Sequence, residues 1–248
     1  MRYRAILLDL DNTLYDYDEA HQIALREVIA RVERDGWWDR DALLQLYRNV
    51  EKNSKQILDG RSGSHCLLHF KSMMGELCQM DRVVRDMDFD YRSFHRFSYI
   101  LELNDLYSER LLEHVTLFEG VIRFLDQNRL PIVVVSNHSL QDQMKKIVRL
   151  GVEKYLDLIV TSEEAGSEKP FPEPYLLALS RLKLQPKECI KIGSNYATDC
   201  VGASKIGMDS IWFNRSGHSR QLQSSPLIVE LTNFAEIRSF FDRNRMVG

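Results

Sequence analysis

Two aspartates near the start of the chain have the residue type and the spacing of a reactive pair. Asp9 and Asp11 follow the apolar run Ala5–Leu8, and Thr13 comes two residues later. A buried carboxylate is costly unless a cation, a metal ion or water meets it, so acids ending an apolar strand predict a charged site. In an extended chain, alternation would place both acids on one side. We interpret Asp9 as a nucleophile and Asp11 as its acid–base partner; a polar exit from the strand is the alternative.

Length and composition narrow the class of protein. The chain has 248 residues, a hydrophobic fraction of 44% and a formal net charge of -3. These values predict a globular protein with no basic surface for nucleic acid and no apolar run of membrane-spanning length. The basic start is interrupted by acids at once and no small-residue cleavage site follows, so we expect a cytoplasmic protein without a signal peptide. The four cysteines form no C-x-x-C pair, which predicts reduced thiols.

Hydrophobic periodicity divides the chain into two regions. Between residues 16 and 115, apolar side chains recur at helical spacing, and we predict helices that include residues 91–100 and 104–115, and no strand. From residue 116 onward, helices alternate with short apolar strands. We therefore predict an α/β fold, with a doubly wound, Rossmann-like parallel-sheet core and an inserted all-helical cap domain. The core would comprise residues 1–15 and 116–248, and the cap residues 16–115.

Polar residues follow the predicted strands, where the chemistry of a parallel sheet is expected. Ser136 and Asn137 end the strand over residues 132–135, and Lys169 lies in the loop after the next strand. The Ser136 hydroxyl and the free N–H groups of the next turn suit a phosphate oxygen, although an ordinary helix N-cap is the alternative. Lys169 has the charge to neutralise a phosphate and the Asp9 carboxylate. A helix is predicted over residues 199–206.

Four segments in chain order resemble the four motifs of the haloacid dehalogenase-like hydrolase superfamily. They are D-L-D-N-T-L from Asp9, S-N from Ser136, E-K-P-F-P-E-P-Y from Glu168 and I-G-S-N-Y-A-T-D from Ile192. The layout is similar to that of members with a helical cap between the first two motifs. The resemblance implies a phosphatase in which Asp9 forms an aspartyl-phosphate and Asp11 protonates the leaving oxygen. It implies substrate binding by Thr13, Ser136, Asn137 and Lys169.

The fourth motif departs from the phosphatase pattern at a metal ligand. The resemblance implies Mg²⁺ bound by Asp9, by the backbone carbonyl of Asp11 and by an acid after Gly193. Ser194 stands at that position, and Asp199 follows at the place of the second acid. Either Asp199 binds the metal, directly or through water, or Ser194 and Asn195 hold a coordinated water. Because hard cations depend on ligand charge, metal affinity is expected to fall.

Three functions fit these residues, and we rank a phosphate monoester hydrolase for a small phosphometabolite first. The resemblance points further to 5′-nucleotidases and a nucleoside 5′-monophosphate. A 2-haloacid dehalogenase is the second, because Ser194, Asn195 and Tyr175 resemble the metal-free dehalogenases, but Asp11 stands where those typically carry tyrosine. A non-catalytic protein that binds a ligand or another protein is the third, because Ser194 replaces the acid. The oligomeric state is not predicted.

Overall fold

The computed structural model describes residues 3–36, 38–57, 66–81, 97–220 and 224–245. The chain divides into two compact units. One comprises Met1–Tyr17 and Val115–Gly248, and the other comprises Asp18–His114. In the part of the chain that is described, no helix is both long enough and apolar enough to cross a membrane.

The first unit contains a six-stranded sheet in which all strand pairs are parallel. Its strands are β1 Ala5–Leu8, β2 Ile132–Ser136, β3 Leu158–Thr161, β4 Cys189–Gly193, β5 Asp209–Phe213 and β6 Ile228–Leu231. Their spatial order is β3-β2-β1-β4-β5-β6. This is the strand order of a doubly wound sheet, so the predicted fold class is confirmed. Strand β1 coincides with the predicted apolar run, and β2 extends the strand predicted over residues 132–135 by one residue.

Strand β1 lies at the centre of the sheet, where the strand order reverses. Leu8 is level with Val134 of β2 on one side and with Ile192 of β4 on the other. The backbone N–H of Asp9 donates to the carbonyl of Ile192, with an N···O distance of 2.9 Å. The residues that follow β1, β2 and β4 therefore emerge at the same edge of the sheet, where doubly wound folds bind their ligands.

Helices cover the sheet of the first unit. After four helices that belong mainly to the second unit, α5 to α10 are Val121–Gln127, Leu140–Leu150, Ser162–Ala165, Glu173–Leu182, Gly202–Lys205 and Phe234–Arg245. Side chains of β1, β2 and β4 that include Leu7, Val133 and Cys189 pack against Tyr175 of α8 and Ala203 of α9. Strands β1, β2 and β4 are buried along their whole length, as expected for parallel strands covered on both faces.

The second unit contains four helices and no strand among its described residues. Its helices are α1 Tyr17–Gly36, α2 Arg40–Ile57, α3 Cys66–Asp81 and α4 Phe97–His114. Aromatic rings form part of its core: the ring of Phe70 lies 5.5 Å from that of Tyr47 and 5.7 Å from that of Tyr107.

Two helix predictions need correction. Residues 97–114 form one continuous helix, not two, because Ile100, Leu103, Tyr107 and Leu111 continue a single buried stripe at helical spacing. Residues 91–96 of the first predicted helix lie outside the described residues. The helix predicted from residue 199 instead begins as a π-helical segment, Tyr196–Val201, because the Asn195 side chain caps it by accepting from the N–H of Thr198.

Candidate active site

Asp9 lies directly after β1 and is held from two sides. Lys169 Nζ donates to its Oδ1 at 2.6 Å, and the Thr13 hydroxyl donates to its Oδ2 at 3.0 Å. The Thr13 oxygen also accepts from the backbone N–H of Ser194 at 3.1 Å. Asn12 has φ 57, in the left-handed region that asparagine tolerates, and this turn brings Thr13 back to Asp9. Thr13 is fully buried and bonded on both sides, so its hydroxyl joins the loop after β1 to the loop after β4.

A second carboxylate, Asp199, shares the Lys169 ammonium group with Asp9. Lys169 Nζ donates to Asp199 Oδ1 at 2.7 Å, and Lys191 Nζ lies 3.2 Å from the same oxygen. The remaining oxygen, Oδ2, accepts from the backbone N–H of Asn195 at 3.1 Å. We call Asp9, Lys169, Lys191 and Asp199 the Asp9 cluster. All four side chains are buried, with Lys191 and Asp199 at 0% exposure.

Gly193 makes room for Asp199 at the end of β4. A Cβ atom at residue 193 would lie 2.3 Å from the Asp199 Cγ atom, which is closer than real Cβ contacts come. The absence of a side chain at Gly193 therefore lets the carboxylate of Asp199 pack against the strand end. The backbone of the next residue, Ser194, is also fixed, because its carbonyl accepts from the Trp212 indole N–H at 2.9 Å.

Asp11 lies in a different set of contacts. Lys146 Nζ donates to its Oδ1 at 2.8 Å, and the Tyr15 hydroxyl donates to the same oxygen. Gln143 Nε2 donates to Oδ2 at 2.6 Å, and His138 Nε2 lies 3.5 Å from that oxygen. We call these five residues the Asp11 cluster. Asp11 lies beyond β1, which ends at Leu8, and forms an isolated β-bridge with Tyr15.

Ser136 and Asn137 connect the site to its supporting loops. Ser136 Oγ accepts from Gln143 Nε2 at 2.6 Å and from the N–H of His138 at 3.2 Å. The alternative that Ser136 is the N-cap of α6 is wrong, because Ser139 caps that helix. The Asn137 amide exchanges two hydrogen bonds with the Lys169 backbone, at 2.7 and 3.0 Å. Asn137 therefore positions the loop from which Lys169 reaches Asp9.

Tyr175, which favoured the dehalogenase interpretation, is also engaged within the protein. Its hydroxyl donates to the carbonyl of Thr198 in the π-helical segment. The side chain is fully buried, and a Cβ atom at Gly202 would lie 2.5 Å from its hydroxyl oxygen. Burial raises the pKa of Tyr175 above its ordinary value, with Asp199 and Asp9 adding to the shift. The hydroxyl therefore stays protonated and acts as a fixed donor.

The two carboxylates that follow β1 have pKa values shifted in opposite directions. Burial raises the pKa of Asp9, and the nearby Asp199 adds to the shift, while Lys169 and Lys191 oppose it. Burial acts in the same sense on Asp11, but Lys146 and His138 outweigh it and hold the Asp11 pKa well below its ordinary value. The causes are burial and neighbouring charge in both cases, and the balance between them differs.

The lysines of the Asp9 cluster are also shifted in opposite directions. Burial tends to lower the pKa of Lys169, but Asp199 and Asp9 outweigh it and raise the pKa above its ordinary value. Burial lowers the pKa of Lys191, and Asp199 and Asp9 offset this only in part. Asp199 has a pKa below its ordinary value, because Lys169 and Lys191 outweigh the effect of its burial.

The sequence did not indicate five residues of these clusters: Tyr15, His138, Gln143, Lys146 and Lys191. Lys191 is flanked by Ile190 and Ile192 in a strand that is buried throughout, and this interruption of an apolar strand was the available signal. Gln143 and Lys146 lie three residues apart on the buried face of α6. Their spacing puts both on one side of the helix, but nothing local indicates that this side faces Asp11.

The predicted Mg²⁺ ligands do not fit a divalent cation as they are placed. Asp9 and Asp199 each hold an ammonium nitrogen within 2.7 Å of a carboxylate oxygen, and a second lysine lies near Asp199. Mg²⁺ prefers oxygen ligands and is repelled by ammonium groups at this distance. Among the described residues, no three or more His, Cys, Asp or Glu side chains are grouped so that they would hold a metal ion.

Comparison with curated proteins gives relatives over most of the chain. Ribulose-1,5-bisphosphate 5-phosphatase of Halopiger xanaduensis is 29% identical over 226 residues, which are 89% of this chain and 89% of that protein. N-acylneuraminate-9-phosphatase of Rattus norvegicus is 28% identical over 229 residues, which are 91% of this chain and 88% of that protein. Both relatives are named as phosphatases.

Solved structures share the fold. The HAD-hydrolase YfnB from Bacillus subtilis, bound to magnesium, has a TM-score of 0.70 at 19% identity, covering 98% of this chain and 100% of that chain. The 2-haloacid dehalogenase from Pseudomonas syringae has a TM-score of 0.72 at 20% identity, covering 97% and 99%. At these identities the likeness concerns the fold alone. Residues 3–207 match the family described as haloacid dehalogenase-like hydrolase. The chain belongs to the haloacid dehalogenase-like hydrolase family.

Proposed function

We propose that this protein hydrolyses phosphate monoesters of small metabolites through an aspartyl-phosphate on Asp9. The observation that carries the proposal is the placement of Asp9 at the end of the central strand with Lys169 Nζ 2.6 Å from its carboxylate. Asp11 follows two residues later with its own set of hydrogen-bond donors. The names of the two curated relatives support phosphate monoesters as the substrate class.

In the first step, a carboxylate oxygen of Asp9 attacks phosphorus and the bond from phosphorus to the ester oxygen breaks. The leaving oxygen takes a proton from Asp11, so the products are the alcohol and an aspartyl-phosphate. Lys169 neutralises charge on the phosphoryl oxygens. The hydroxyl of Ser136, at the end of β2, is assigned to bind a phosphate oxygen.

In the second step, water attacks the phosphorus of the aspartyl-phosphate. Asp11, now a carboxylate, takes a proton from that water, and the bond between phosphorus and the Asp9 oxygen breaks. Inorganic phosphate leaves, and the Asp9 carboxylate is restored. Each of the two acids thus ends the cycle in the state in which it began.

The low pKa of Asp11 determines when it can carry a proton. Asp11 is a carboxylate in the ligand-free protein, because Lys146 and His138 favour its charged form more than burial opposes it. A phosphate group loses its second proton near about pH 6, so it is a weaker acid than Asp11 and does not by itself protonate this carboxylate. We assign the proton uptake to the complex, where the negative charge of the bound phosphate raises the Asp11 pKa, so that Asp11 carries the proton that the leaving oxygen receives.

Small sugar phosphates are the proposed substrate class, because one relative is named for a ribulose bisphosphate and the other for an acylneuraminate phosphate. A nucleoside 5′-monophosphate is the narrower substrate that the sequence motifs favoured. Residues 16–115 are proposed as the cap domain, the part of the chain that recognises the leaving group. Turnover rates of sugar phosphates and of nucleoside 5′-monophosphates, measured in one panel of substrates, distinguish these two substrate classes.

The test is release of inorganic phosphate from such a panel, measured with Mg²⁺ and with a metal chelator. We expect turnover of at least one member and loss of turnover by about a thousand-fold or more in Asp9→Asn, since the nucleophile is removed. Asp126→Asn is the matched control, because Asp126 is exposed on α5 and should leave turnover unchanged. Turnover that survives Asp9→Asn, or no release from any ester under both conditions, would contradict the proposal.

A 2-haloacid dehalogenase remains the second candidate, favoured by Ser194 and by the buried Tyr175. Halide displacement needs a carboxylate nucleophile but no acid to protonate an alcohol, and the Asp11 cluster would then have no role. Chloride release from 2-chloropropionate, measured with a chelator present, decides between the two. We expect none.

A further inference from the structure

Lys191 is a buried cation that the mechanism above does not use. It lies in the middle of β4, level with Leu7 of β1 and Ser210 of β5, and its side chain is 0% exposed. Its Nζ atom is 3.2 Å from Asp199 Oδ1. A lysine is rarely placed in the interior of a covered sheet, because removing an ammonium group from water is costly.

The ammonium group of Lys191 makes no hydrogen bond of normal geometry with any described residue, although it lies within ion-pair distance of Asp199. A buried donor left in this way is uncommon in folded proteins. Its contribution here is therefore charge at a fixed place, not a geometrically specific bond. The strand holds that charge at the site, since β4 is hydrogen-bonded to β1 on one side and to β5 on the other.

The charges of the Asp9 cluster are balanced within the protein. Two carboxylates, Asp9 and Asp199, face the two ammonium groups of Lys169 and Lys191. A divalent cation bound to the same carboxylates would add two positive charges to a buried neutral group. The Coulomb repulsion from two ammonium groups within a few ångströms would weaken such binding strongly.

Lys191 also determines how much charge Lys169 has left for a phosphate. Lys169 Nζ lies 2.6 Å from Asp9 Oδ1 and 2.7 Å from Asp199 Oδ1, so one ammonium group forms ion pairs with two carboxylates. With Lys191 neutralising Asp199, Lys169 stays available to Asp9 and to the phosphoryl oxygens that meet it.

We propose that Lys191 supplies, as a built-in ammonium group, the positive charge that a divalent cation would otherwise provide beside Asp199, so that this protein binds and hydrolyses its phosphate ester without Mg²⁺. The part of this inference that concerns hydrolysis rests on the proposed function. The effect of Lys191 on Mg²⁺ binding does not depend on that function. Lys191 acts through Asp199 and Lys169 and is therefore a positioning residue.

Titration calorimetry with Mg²⁺ alone tests the electrostatic part. We expect the wild-type protein to bind Mg²⁺ no tighter than about 10 mM, and the double variant Lys191→Met with Ser194→Asp to bind it at least about ten-fold tighter. Ser194→Asp alone should gain less than the double variant, because the ammonium group is still present. Lys187→Met is the control: it removes an exposed lysine outside the Asp9 and Asp11 clusters and should leave Mg²⁺ affinity unchanged.

Wild-type binding of Mg²⁺ tighter than about 1 mM, or a double variant no tighter than Ser194→Asp alone, would overturn the proposal. Circular dichroism establishes that each variant is folded. If the double variant does not fold, Mg²⁺ titrations of the wild-type protein and of the single variant Lys191→Met test the proposal instead. A single variant that binds Mg²⁺ no tighter than the wild-type protein would contradict the proposal.

Phosphate release with a chelator present tests the catalytic part and separates it from the proposed function. If the wild-type protein hydrolyses p-nitrophenyl phosphate equally fast with a chelator and with Mg²⁺, the result supports both the phosphatase proposal and metal-free hydrolysis. Turnover that depends on Mg²⁺ overturns the role of Lys191 and leaves the phosphatase proposal standing. If neither this ester nor any of the substrate panel is hydrolysed, the phosphatase proposal and metal-free hydrolysis both fail, and calorimetry still decides whether Lys191 excludes Mg²⁺.

Discussion

The Asp9 cluster and the Asp11 cluster begin two residues apart in the chain and are built differently. The Asp9 cluster combines residues from three distant segments, and Lys169 is 160 residues from the aspartate it contacts. The Asp11 cluster is held largely by Gln143 and Lys146, which share one face of α6. The first contains a second carboxylate, whereas the second surrounds one carboxylate with donors only.

The pKa values follow this difference. Burial and a second carboxylate, Asp199, raise the pKa of Asp9 despite two lysines, whereas Lys146 and His138 hold the pKa of Asp11 down despite burial. Two identical side chains thus acquire different proton affinities from their surroundings. The Asp9 cluster therefore depends on balanced opposite charges, and the Asp11 cluster holds its aspartate in the carboxylate form. The following variants disturb one cluster or the other.

Lys169→Met should have the largest effect on stability. It removes the ammonium group that Asp9 and Asp199 share and leaves two buried carboxylates near one another, with only Lys191 beside Asp199. We expect the free energy of unfolding at neutral pH to fall by about 3–5 kcal/mol. Urea denaturation measures it, with Lys187→Met at an exposed site as the control. A loss below about 1 kcal/mol would mean that the cluster does not depend on charge balance.

Gly193→Ala tests the space that the Asp9 cluster requires. The added Cβ atom would lie 2.3 Å from the Asp199 Cγ atom and would displace the carboxylate from its lysines. We expect a loss of about 2 kcal/mol in the free energy of unfolding. Gly75→Ala is the matched control: its Cβ atom would meet nothing within 4 Å in helix α3, and it should be neutral or stabilising. Equal effects of the two substitutions would contradict the packing argument.

Lys146→Met tests the Asp11 cluster through its pH dependence. The Asp11 pKa is below its ordinary 3.8 in the folded protein, so the stability it contributes is present above pH 3.8 and is lost as the pH falls through the lowered value. Without Lys146 we expect a loss of about 1–2 kcal/mol at neutral pH that shrinks when unfolding is measured near pH 3. A loss independent of pH would indicate that Lys146 contributes by packing alone.

Lys191→Met should have the smallest effect on stability, and the opposite sign. Burial lowers the Lys191 pKa from its ordinary 10.5, so between the lowered value and pH 10.5 the unfolded chain binds more protons and stability rises with pH. The folded protein therefore tolerates this charge at a cost. We expect the variant to be more stable at neutral pH by about 1 kcal/mol, a gap that narrows toward pH 10.5. Thermal unfolding of the two proteins at neutral and alkaline pH measures it.

Strand β2 was predicted closely from residues 132–135, since an apolar run of β-branched residues is a local signal. The division of α4 into two helices was wrong, although its buried residues keep one helical spacing. The cap of α6 is Ser139, three residues after the predicted alternative.

The residues alone indicated the fold class, the order of the four motifs and the places of Asp9, Asp11, Ser136 and Lys169 at or beyond the ends of strands. Alternating strands and helices allow few topologies, and parallel strands must end at a common edge. Only the tertiary structure decided which lysine meets which carboxylate. Lys146 and Gln143 have no local signal, because their contacts with Asp11 span more than a hundred residues. Lys191 interrupts an apolar strand, but nothing local shows which carboxylate it meets. Neighbouring charges, which meet only in the folded state, then set the pKa values of the two aspartates apart, since burial raises both.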